Sequence, residues 1–136
     1  AFGGSGNDEL DATDVSNYRL SGGAGKDIFY LGADSRALGG DGDDQFYVQE
    51  GGGNLISGGA GADQFWIADV ELPNAANTIL DFQKGVDVIG VLGISSDSLT
   101  LNVVNGNTEI GLGGQTVAIV NGVTGLNIAM DFAFVS

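Results

Sequence analysis

A glycine-rich segment occurs four times in the first half of the sequence. It reads GGSGNDELD from Gly3, GGAGKDIFY from Gly22, GGDGDDQFY from Gly39 and GGAGADQFW from Gly58. The starts are 19, 17 and 19 residues apart, so the motif recurs about every second nonapeptide. Repetition at this period predicts stacked structural units, each of which buries its apolar face against its neighbours. The regular spacing favours such a coil over a β-sandwich with scattered glycine-rich turns.

The repeat positions each have a physical reason. Glycine reaches positive φ and lets carbonyl groups crowd a ligand. The apolar residue at the eighth position is expected to point inward from a short strand. Stacking therefore predicts an inner ladder of Leu10, Phe29, Phe46 and Phe65. The intervening half-turns predict an opposite ladder of Leu20, Leu38 (within one residue) and Ile56.

The sixth position is always aspartate. Parallel coils about 4.8 Å apart stack these side chains in one column, which consists of Asp8, Asp27, Asp44 and Asp63. Neighbouring carboxylates at that spacing repel by roughly 1 kcal/mol in water and roughly 3–4 kcal/mol at an effective dielectric constant of 20. A divalent cation between successive turns reverses the sign of this interaction, so the column predicts calcium binding.

The composition agrees with a cation site built from oxygen ligands. The 136 residues make one domain, or two small pieces that share a core. The formal charge of −14 repels nucleic acid and anionic membranes. The absence of histidine and cysteine removes the usual zinc ligands and the commonest general base, whereas oxygen ligands suit calcium. Enzymatic activity is therefore the weakest hypothesis, and no apolar run is long enough to span a bilayer.

These repeats resemble those of the RTX family, which are secreted calcium-binding repeat proteins. The resemblance covers residues 3–66 and implies a parallel β-roll with calcium held between turns stacked on the same side. It also implies which atoms bind each ion. One turn provides the carbonyl groups of its second and fourth positions and its aspartate, and the next turn provides those of its first and third positions and its own aspartate.

Carried over to this sequence, the resemblance implies three calcium sites. The first consists of Gly4, Gly6, Asp8, Gly22, Ala24 and Asp27. The second consists of Gly23, Gly25, Asp27, Gly39, Asp41 and Asp44. The third consists of Gly40, Gly42, Asp44, Gly58, Ala60 and Asp63. Gly59 and Gly61 are candidates for a further site against the segment that follows.

The alternate half-turns do not contain the full motif. They read TDVSNYRLS, LGADSRAL and VQEGGGNLIS, so the second edge of the roll is expected to be free of metal. The acids in these half-turns are Asp14, Asp34 and Glu50. We expect them on the solvated surface rather than in partial calcium sites.

After Trp66 the glycine repeat stops. The segment NTILDFQKGVDVIGVLGI resembles the one that follows the repeats in serralysin-type proteases, and its Asp81 and Asp87 either bind a last calcium ion or cap a turn. Farther on, SLTLNVV and TEIGL flank an Asn105-Gly106 turn, which is typical of a β-hairpin. We therefore expect an all-β fold, with a β-roll over residues 1–68 and an antiparallel β cap over residues 69–136. The cap would cover the open end of the roll.

The last residues, DFAFVS, resemble the uncleaved carboxy-terminal signal of RTX proteins that leave by the type I pathway. The leading hypothesis is a calcium-binding module that folds on binding several Ca²⁺ ions and supports the secretion and extracellular folding of a larger exoprotein. Its partners would be calcium, the type I secretion machinery and an upstream domain of the same polypeptide. Its location would be extracellular, either secreted or on the cell surface.

The alternative is an adhesive, polysaccharide-binding or surface-layer module. Trp66, the single tryptophan, is expected at the junction between roll and cap, and an aromatic platform for glycan is the less favoured interpretation. An acidic glycan would need a basic patch, and the chain has only four basic residues, which are Arg19, Lys26, Arg36 and Lys84. Ice binding would need a ladder of threonines, which the aligned positions do not contain.

Overall fold

The computed structural model describes residues 1–69 and 72–135, without the side chains of Gln49 and Glu50, so the expectation for Glu50 lies outside the described residues. Short strands dominate this part of the chain, and they are joined by one 3-10 turn at Ser96–Ser98 and one short helix, α1, at Ile128–Asp131. The strands are β1 (Phe2–Ser5), β2 (Glu9–Ser16), β3 (Arg19–Ala24), β4 (Ile28–Ala33), β5 (Arg36–Asp41), β6 (Gln45–Gly52), β7 (Leu55–Ser57), β8 (Gln64–Ala68), β9 (Asn77–Ile79), β10 (Val88–Leu92), β11 (Leu99–Val104), β12 (Asn107–Leu112), β13 (Gln115–Val120) and β14 (Phe132–Val135).

The strands form two sheets that face each other across one core. The first sheet has the order β1-β3-β5-β7-β9-β13-β12-β11, and the second has the order β14-β10-β8-β6-β4-β2. Successive strands alternate between the sheets from β1 to β10, and their neighbours within each sheet pair in parallel. This arrangement is a parallel β-roll, which confirms the predicted fold class.

The core ladder of the second sheet follows the repeat. Phe29 pairs with Leu10 on one side and Phe46 on the other, and Phe46 pairs with Phe65. The ring centroids of Phe29 and Phe46 lie 4.7 Å apart, and those of Phe46 and Phe65 lie 5.2 Å apart. All three phenylalanine rings are fully buried, so the eighth repeat position builds half of the core, as predicted.

The opposite ladder contains Ala37 where the sequence suggested Leu38. Leu20 pairs with Ala37, and Ala37 pairs with Ile56. Each of these residues lies two positions before a glycine pair, whereas Leu38 lies one position before it. Because side chains alternate between the faces of a strand, Leu38 points outward and is 44% exposed. Hydrophobicity alone favoured the larger residue, and the alternation of the strand selects the smaller one.

The carboxy-terminal part extends both sheets. β13 pairs in parallel with β9, and β12 and β11 follow as an antiparallel hairpin around Asn105. β14 pairs in parallel with β10. The antiparallel region of the fold prediction is therefore confirmed. The division into domains at residue 68 stays a prediction, because β9 and β10 continue the parallel sheets beyond it.

Candidate metal centre

The four glycine-rich loops share one backbone conformation. The glycines at the second and fourth positions of every loop have φ between 82° and 118°, a range that L-residues with a side chain rarely adopt. These glycines are Gly4, Gly6, Gly23, Gly25, Gly40, Gly42, Gly59 and Gly61. The motif therefore sets the loop shape at two positions in each turn.

The carbonyl groups of these glycines face the next loop along the roll. A Cβ atom placed on Gly23 would lie 2.1 Å from the carbonyl oxygen of Gly4, and one placed on Gly25 would lie 2.1 Å from that of Gly6. In the next pair of loops, a Cβ atom on Gly40 or Gly42 would likewise lie 2.1 Å from the carbonyl oxygen of Gly23 or Gly25. A side chain at these positions would fill the space into which the carbonyl oxygens point. They are the carbonyls of the second and fourth positions, which the resemblance assigns as calcium ligands.

The motif aspartates form a hydrogen-bonded column. The backbone N–H of Asp8 donates to Oδ1 of Asp27, that of Asp27 donates to Oδ1 of Asp44, and that of Asp44 donates to Oδ1 of Asp63, each at 2.9 Å. The N–H of Asp63 donates in the same way to Oδ1 of Asp87 at 2.9 Å. The structure thus brings the four predicted aspartates together and adds Asp87 as a fifth member.

The other carboxylate oxygen of each motif aspartate is buried without a donor. This holds for Oδ2 of Asp8, Asp27, Asp44 and Asp63. Each of these oxygens points back into its own loop, because a Cβ atom on the first glycine of the loop would lie 2.2–2.5 Å from it. A buried anionic oxygen without a partner is costly. The donor set therefore fits a hard cation, since it combines carboxylate and carbonyl oxygens in one narrow row.

Burial also changes the acidity of the column. It raises the pKa of Asp44 from 3.8 to about 6 and the pKa of Asp63 from 3.8 to about 7. Nearby carboxylates raise the pKa of both groups further, and the hydrogen bond from the preceding aspartate N–H opposes the rise. The pKa of Asp87 is raised for the same leading reason, burial. The metal-free column therefore holds its negative charge at a cost that a cation would remove.

Side chains alone do not make a metal site. Among the described residues, no group of three or more Asp, Glu, His or Cys side chains converges as a metal-binding cluster. An ion in the column would therefore take much of its coordination from backbone carbonyls. This agrees with the ligand sets in the sequence analysis, in which Gly22, Ala24, Gly39, Asp41, Gly58 and Ala60 contribute main-chain oxygens. The ligand sets themselves stay predictions.

The two acids after the repeats have different surroundings. Asp81 accepts hydrogen bonds from the Ser57 hydroxyl at 2.7 Å and from the N–H groups of Gly58 and Gly59 at 2.8 and 2.9 Å. Asp87 accepts from Asp63 through Oδ1 and from the N–H of Gln83 through Oδ2 at 2.8 Å. Both oxygens of each carboxylate thus have donors. Both residues thus cap neighbouring backbone groups, and their role as calcium ligands stays a prediction.

Two further contacts between turns were not anticipated. Oδ1 of Asn7 accepts from the N–H of Lys26 at 2.8 Å, and Oδ1 of Asp43 accepts from the N–H of Ala62 at 2.7 Å. All four residues occupy the fifth repeat position. The signal in the sequence was the alternation at this position between a residue with a side-chain acceptor and one without.

The second edge carries an uncharged ladder of its own. The N–H of Tyr18 donates to Oγ of Ser35 at 3.1 Å, and the N–H of Ser35 donates to Oδ1 of Asn54 at 2.9 Å. The N–H of Asn54 in turn donates to Oδ1 of Asn77 at 3.1 Å. The side chains of Ser35, Asn54 and Asn77 are buried. Sequence reasoning missed this ladder because its members follow no fixed motif.

The acids of the second edge lie where the sequence predicted. Asp14 and Asp34 are exposed, and each borders a separate shallow cavity at this edge. Neither belongs to a cluster of acidic side chains among the described residues. Their solvated position agrees with the expectation from the half-turn sequences.

Trp66 lies between two strands of the second sheet. Its ring stacks on that of Tyr47, with centroids 6.1 Å apart and planes 4° apart. On the other side it covers Gly90, since three adjacent ring atoms lie 2.1–2.5 Å from the position of a Cβ atom there. A sugar ring stacks on an open aromatic face, and both faces of this indole are occupied. The geometry therefore argues against Trp66 as a glycan platform.

The fold and the carboxylate column define the class of an RTX-type β-roll. The family model for the peptidase M10 serralysin C terminal matches residues 1–132, and the chain belongs to this family. The crystal structure of the extracellular lipase LipA from Serratia marcescens is similar over 96% of this chain, at 20% identity and a TM-score of 0.45. The chain spans 20% of that lipase chain. Among curated proteins, no significant match was found. No helix in the described ranges is long and apolar enough to cross a membrane.

Proposed function

We propose that this chain is a calcium-dependent folding module of a larger secreted protein. The observation that supports it best is the row of four buried Oδ2 atoms without donors, faced by carbonyl oxygens of adjacent loops. Calcium accepts six to eight oxygen ligands in flexible geometry, and such a row can provide them. The module would fold outside the cell, where calcium is abundant. It would bind its ions through the three ligand sets that the resemblance to RTX repeats implies.

Metal binding and folding should be one event. The core between the sheets is thin, and the carboxylates of the column repel each other until a cation lies between them. Because the site does not exist in the unfolded chain, the free energy of binding becomes free energy of folding. We expect the roll to be largely unfolded in chelator and to fold at roughly 10⁻⁴–10⁻³ M calcium, the range of extracellular modules.

A calcium titration tests this proposal. Circular dichroism follows the β content, and the fluorescence of Trp66 follows the packing between β6 and β10. A full β spectrum in excess chelator would contradict the proposal. Magnesium is the matched control, because it demands near-octahedral geometry and holds its waters. An equal response to magnesium would also count against it.

The stoichiometry tests the ligand sets separately. Four stacked loops make three adjacent pairs, so calorimetry should find about three calcium ions. The interval between Asp63 and Asp87 would add a fourth if Asp87 bound an ion through the lone pairs that its two present donors leave free. A single ion per chain would contradict the ladder even if folding depended on calcium.

The secretion role is the second part of the proposal. The segment DFAFVS contributes β14, which pairs with β10 in the folded chain. A signal within this strand would be accessible only before folding, which fits export of an unfolded chain followed by folding in external calcium. Fusing the chain to a passenger protein and measuring its export through a type I system tests this role. Deletion of residues 131–136 should abolish export, and unchanged export would overturn it.

A second function, binding of an acidic polysaccharide, has one observation in its favour. Arg19 and Arg36 are register partners on neighbouring strands, and both are exposed. They line a cavity of about 300 Å³ together with Tyr18, which is 49% exposed, and with the exposed Asp34, whose charge opposes an anionic ligand. Neither arginine has a carboxylate partner in the described part of the chain. Two guanidinium groups side by side suit carboxylates of adjacent sugar units.

Calorimetry with a short uronate oligosaccharide, against a neutral one of equal length, tests this second function in calcium-saturated protein. The double variant Arg19→Gln, Arg36→Gln should bind at least about tenfold more weakly than the wild type. Lys26→Gln removes one positive charge elsewhere on the surface and should leave binding unchanged. Equal binding of the neutral oligosaccharide would dismiss this function.

A further inference from the structure

The last strand of the first sheet, β11, has a free edge. β11 (Leu99–Val104) follows β12 at the end of the strand order, and in the described ranges it pairs with β12 alone. A free edge presents unpaired N–H and C=O groups that can pair with another strand. β11 therefore offers a backbone surface that the fold of a single chain leaves open.

This edge lacks the features that usually prevent pairing. Natural edge strands are protected by charged side chains, proline, bulges or a very short length. The sequence of β11, LTLNVV, contains no charged residue and no proline, and its pairing with β12 is regular over six residues. Val103 is 61% exposed and Val104 is 41% exposed. By contrast, β2, one of the two edge strands of the other sheet, contains Glu9, Asp11 and Asp14.

The hydrophobic core reaches this open edge. Leu101 lies opposite Ile110, and Val103 lies opposite Thr108. Ile110 and Thr108 are buried, whereas Leu101 is half-buried and Val103 is exposed. The inward face of the sheet thus continues onto β11 without a strand beyond it to cover the apolar side chains. One additional strand would bury them.

We propose that two copies of this chain pair in antiparallel orientation through β11 and form a closed dimer. The edge suits a second copy because β11 is complementary to itself. A register centred on Asn102 places Leu101 opposite the partner subunit's Val103, and Val103 opposite the partner subunit's Leu101. Antiparallel pairing of a strand with its own copy is isologous, so it uses both free edges and stops at two chains.

The charge distribution favours this edge over the rest of the surface. The chain carries −14 charges, and most approaches between two copies are repulsive. The cross-strand neighbour of Asn102 is Glu109, which is one strand inside the edge. In the dimer the two Glu109 side chains would be three strand spacings, roughly 14 Å, apart. This exceeds the Debye length of about 8 Å at physiological salt.

Sedimentation velocity of the calcium-saturated chain over a concentration series tests the proposal. The wild type should change from monomer to dimer with increasing concentration. Val103→Lys should shift the dissociation constant upward by at least about tenfold, because each lysine would lie opposite the partner subunit's Leu101 and the two lysines would be diagonal neighbours of like charge. The control is Val15→Lys on β2, where Val15 is 39% exposed, and it should dimerise like the wild type. The calcium midpoint from Trp66 fluorescence shows whether each variant folds.

Hydrogen exchange of the wild type provides a test that needs no variant. Amides of β11 should gain protection as the concentration rises, and those of β2 should not. A monomer at every concentration would overturn the proposal. So would a dimer whose β11 amides exchange as in the monomer, or a Val15→Lys variant that loses the dimer as completely as Val103→Lys.

Discussion

The two edges of the roll use the same backbone arrangement with different side chains. On one edge, the N–H of each aspartate donates to the carboxylate of the next turn, as between Asp27 and Asp44 at 2.9 Å. On the other edge, the N–H of Ser35 donates to the Asn54 side chain at 2.9 Å. In both cases a buried polar side chain connects neighbouring turns. The two edges differ in charge and in the partner of the second polar atom.

That second atom determines what each edge needs. The Oδ2 of Asp44 is buried without a donor. The corresponding Nδ2 of Asn54 donates to the carbonyl of Gly32 at 3.0 Å and to Oδ1 of Asn77 at 2.9 Å. The Asn54 amide thus satisfies internally what the carboxylate leaves for a cation, and only Nδ2 of Asn77, among the ladder side chains described here, is buried without a partner. In the proposed function, the charge of the aspartate edge, and not the coil itself, would make folding depend on metal.

The largest loss of stability is expected when an alanine side chain is placed between two loops of the aspartate edge. Gly40→Ala would place Cβ 2.1 Å from the carbonyl oxygen of Gly23, at φ +96°. Gly4→Ala has nearly the same φ, +97°, and no atom within 4 Å of its Cβ. Gly4→Ala should therefore lower the free energy of unfolding by about 1–2 kcal/mol, through left-handed backbone strain alone. Gly40→Ala should lower it by about 3 kcal/mol or more, because the clash with the Gly23 carbonyl adds to the same strain.

Urea unfolding in saturating calcium measures both losses. A Gly40→Ala variant as stable as Gly4→Ala would show that the loops do not approach each other as closely as the structure indicates. The close approach of the loops, and with it the carbonyl part of the calcium site, would then be wrong.

The next largest effect is expected when a carboxylate replaces an amide in the uncharged ladder of the second edge. Asn54→Asp removes the two Nδ2 hydrogen bonds and buries a charge, so it should destabilise the roll by about 2 kcal/mol or more. It should not create a calcium response, because its neighbours in the ladder, Ser35 and Asn77, provide no second carboxylate. Asn74→Asp makes the same chemical change at an exposed position of the same edge and should be nearly neutral.

Unfolding in urea with and without added calcium compares the two asparagine variants. If calcium restored Asn54→Asp to wild-type stability, a carboxylate alone would suffice to build a site on this coil. The contrast drawn between the two edges would then fail.

The sequence predicted the coil and the charged edge because both follow one repeated motif. Asp8, Asp27, Asp44 and Asp63 were placed in a column from their spacing alone, and the hydrogen bonds reproduce that column. The motif needs glycine where φ is positive, so sequence and backbone are tightly coupled at these loops.

The neutral edge and the ends of the column were harder to predict. Ser35, Asn54 and Asn77 are 19 and 23 residues apart and share no flanking pattern. Asp87 joins the column through hydrogen bonds that depend on the loop from Asp81, which has lost the glycine pair. These hydrogen bonds depend on how neighbouring turns pack against each other, so the local preference of a single residue does not predict them.

A smaller effect is expected on the calcium midpoint, which should differ between variants of inner and outer members of the aspartate column. Asp44 belongs to two of the proposed sites, Asp8 belongs to one, and Asp41 contributes only its carbonyl group. Asp44→Asn should raise the calcium midpoint about tenfold or more, since it leaves two ions short of charge. Asp8→Asn should raise it less, and Asp41→Asn should leave it nearly unchanged, because the Asp41 side chain is exposed.

Calcium titrations of these three variants, followed by Trp66 fluorescence, test the register of the sites. A midpoint in Asp41→Asn as high as in Asp44→Asn would contradict the assignment of its carbonyl as the ligand. If Asp8→Asn had the highest midpoint of the three, the order of the turns in the binding model would be wrong.

The smallest effect concerns protons, which compete with calcium for the column. Burial raises the pKa of Asp63 to about 7 and that of Asp44 to about 6 in the metal-free fold, from 3.8. Between about pH 4 and pH 7 the metal-free fold therefore binds more protons than the unfolded chain, so its stability increases as the pH falls through this window. Calcium needs the charged carboxylates, so its apparent affinity decreases over the same window. In a chain kept folded without metal by an osmolyte such as sucrose, the calcium midpoint should rise about fourfold from pH 8 to pH 6.5, mainly through Asp63.

Calorimetric titrations at the two pH values measure this shift, with calcium removed beforehand by gel filtration rather than by a chelator that itself titrates. Asp63→Asn should lose most of the pH dependence, because the group with the highest pKa in the column is gone. Asp41→Asn should keep it. The neutral edge contributes nothing here, since Ser35, Asn54 and Asn77 do not titrate. A midpoint that stayed constant in the wild type between pH 8 and pH 6.5 would mean that protons do not compete with calcium for the buried carboxylates of the aspartate edge.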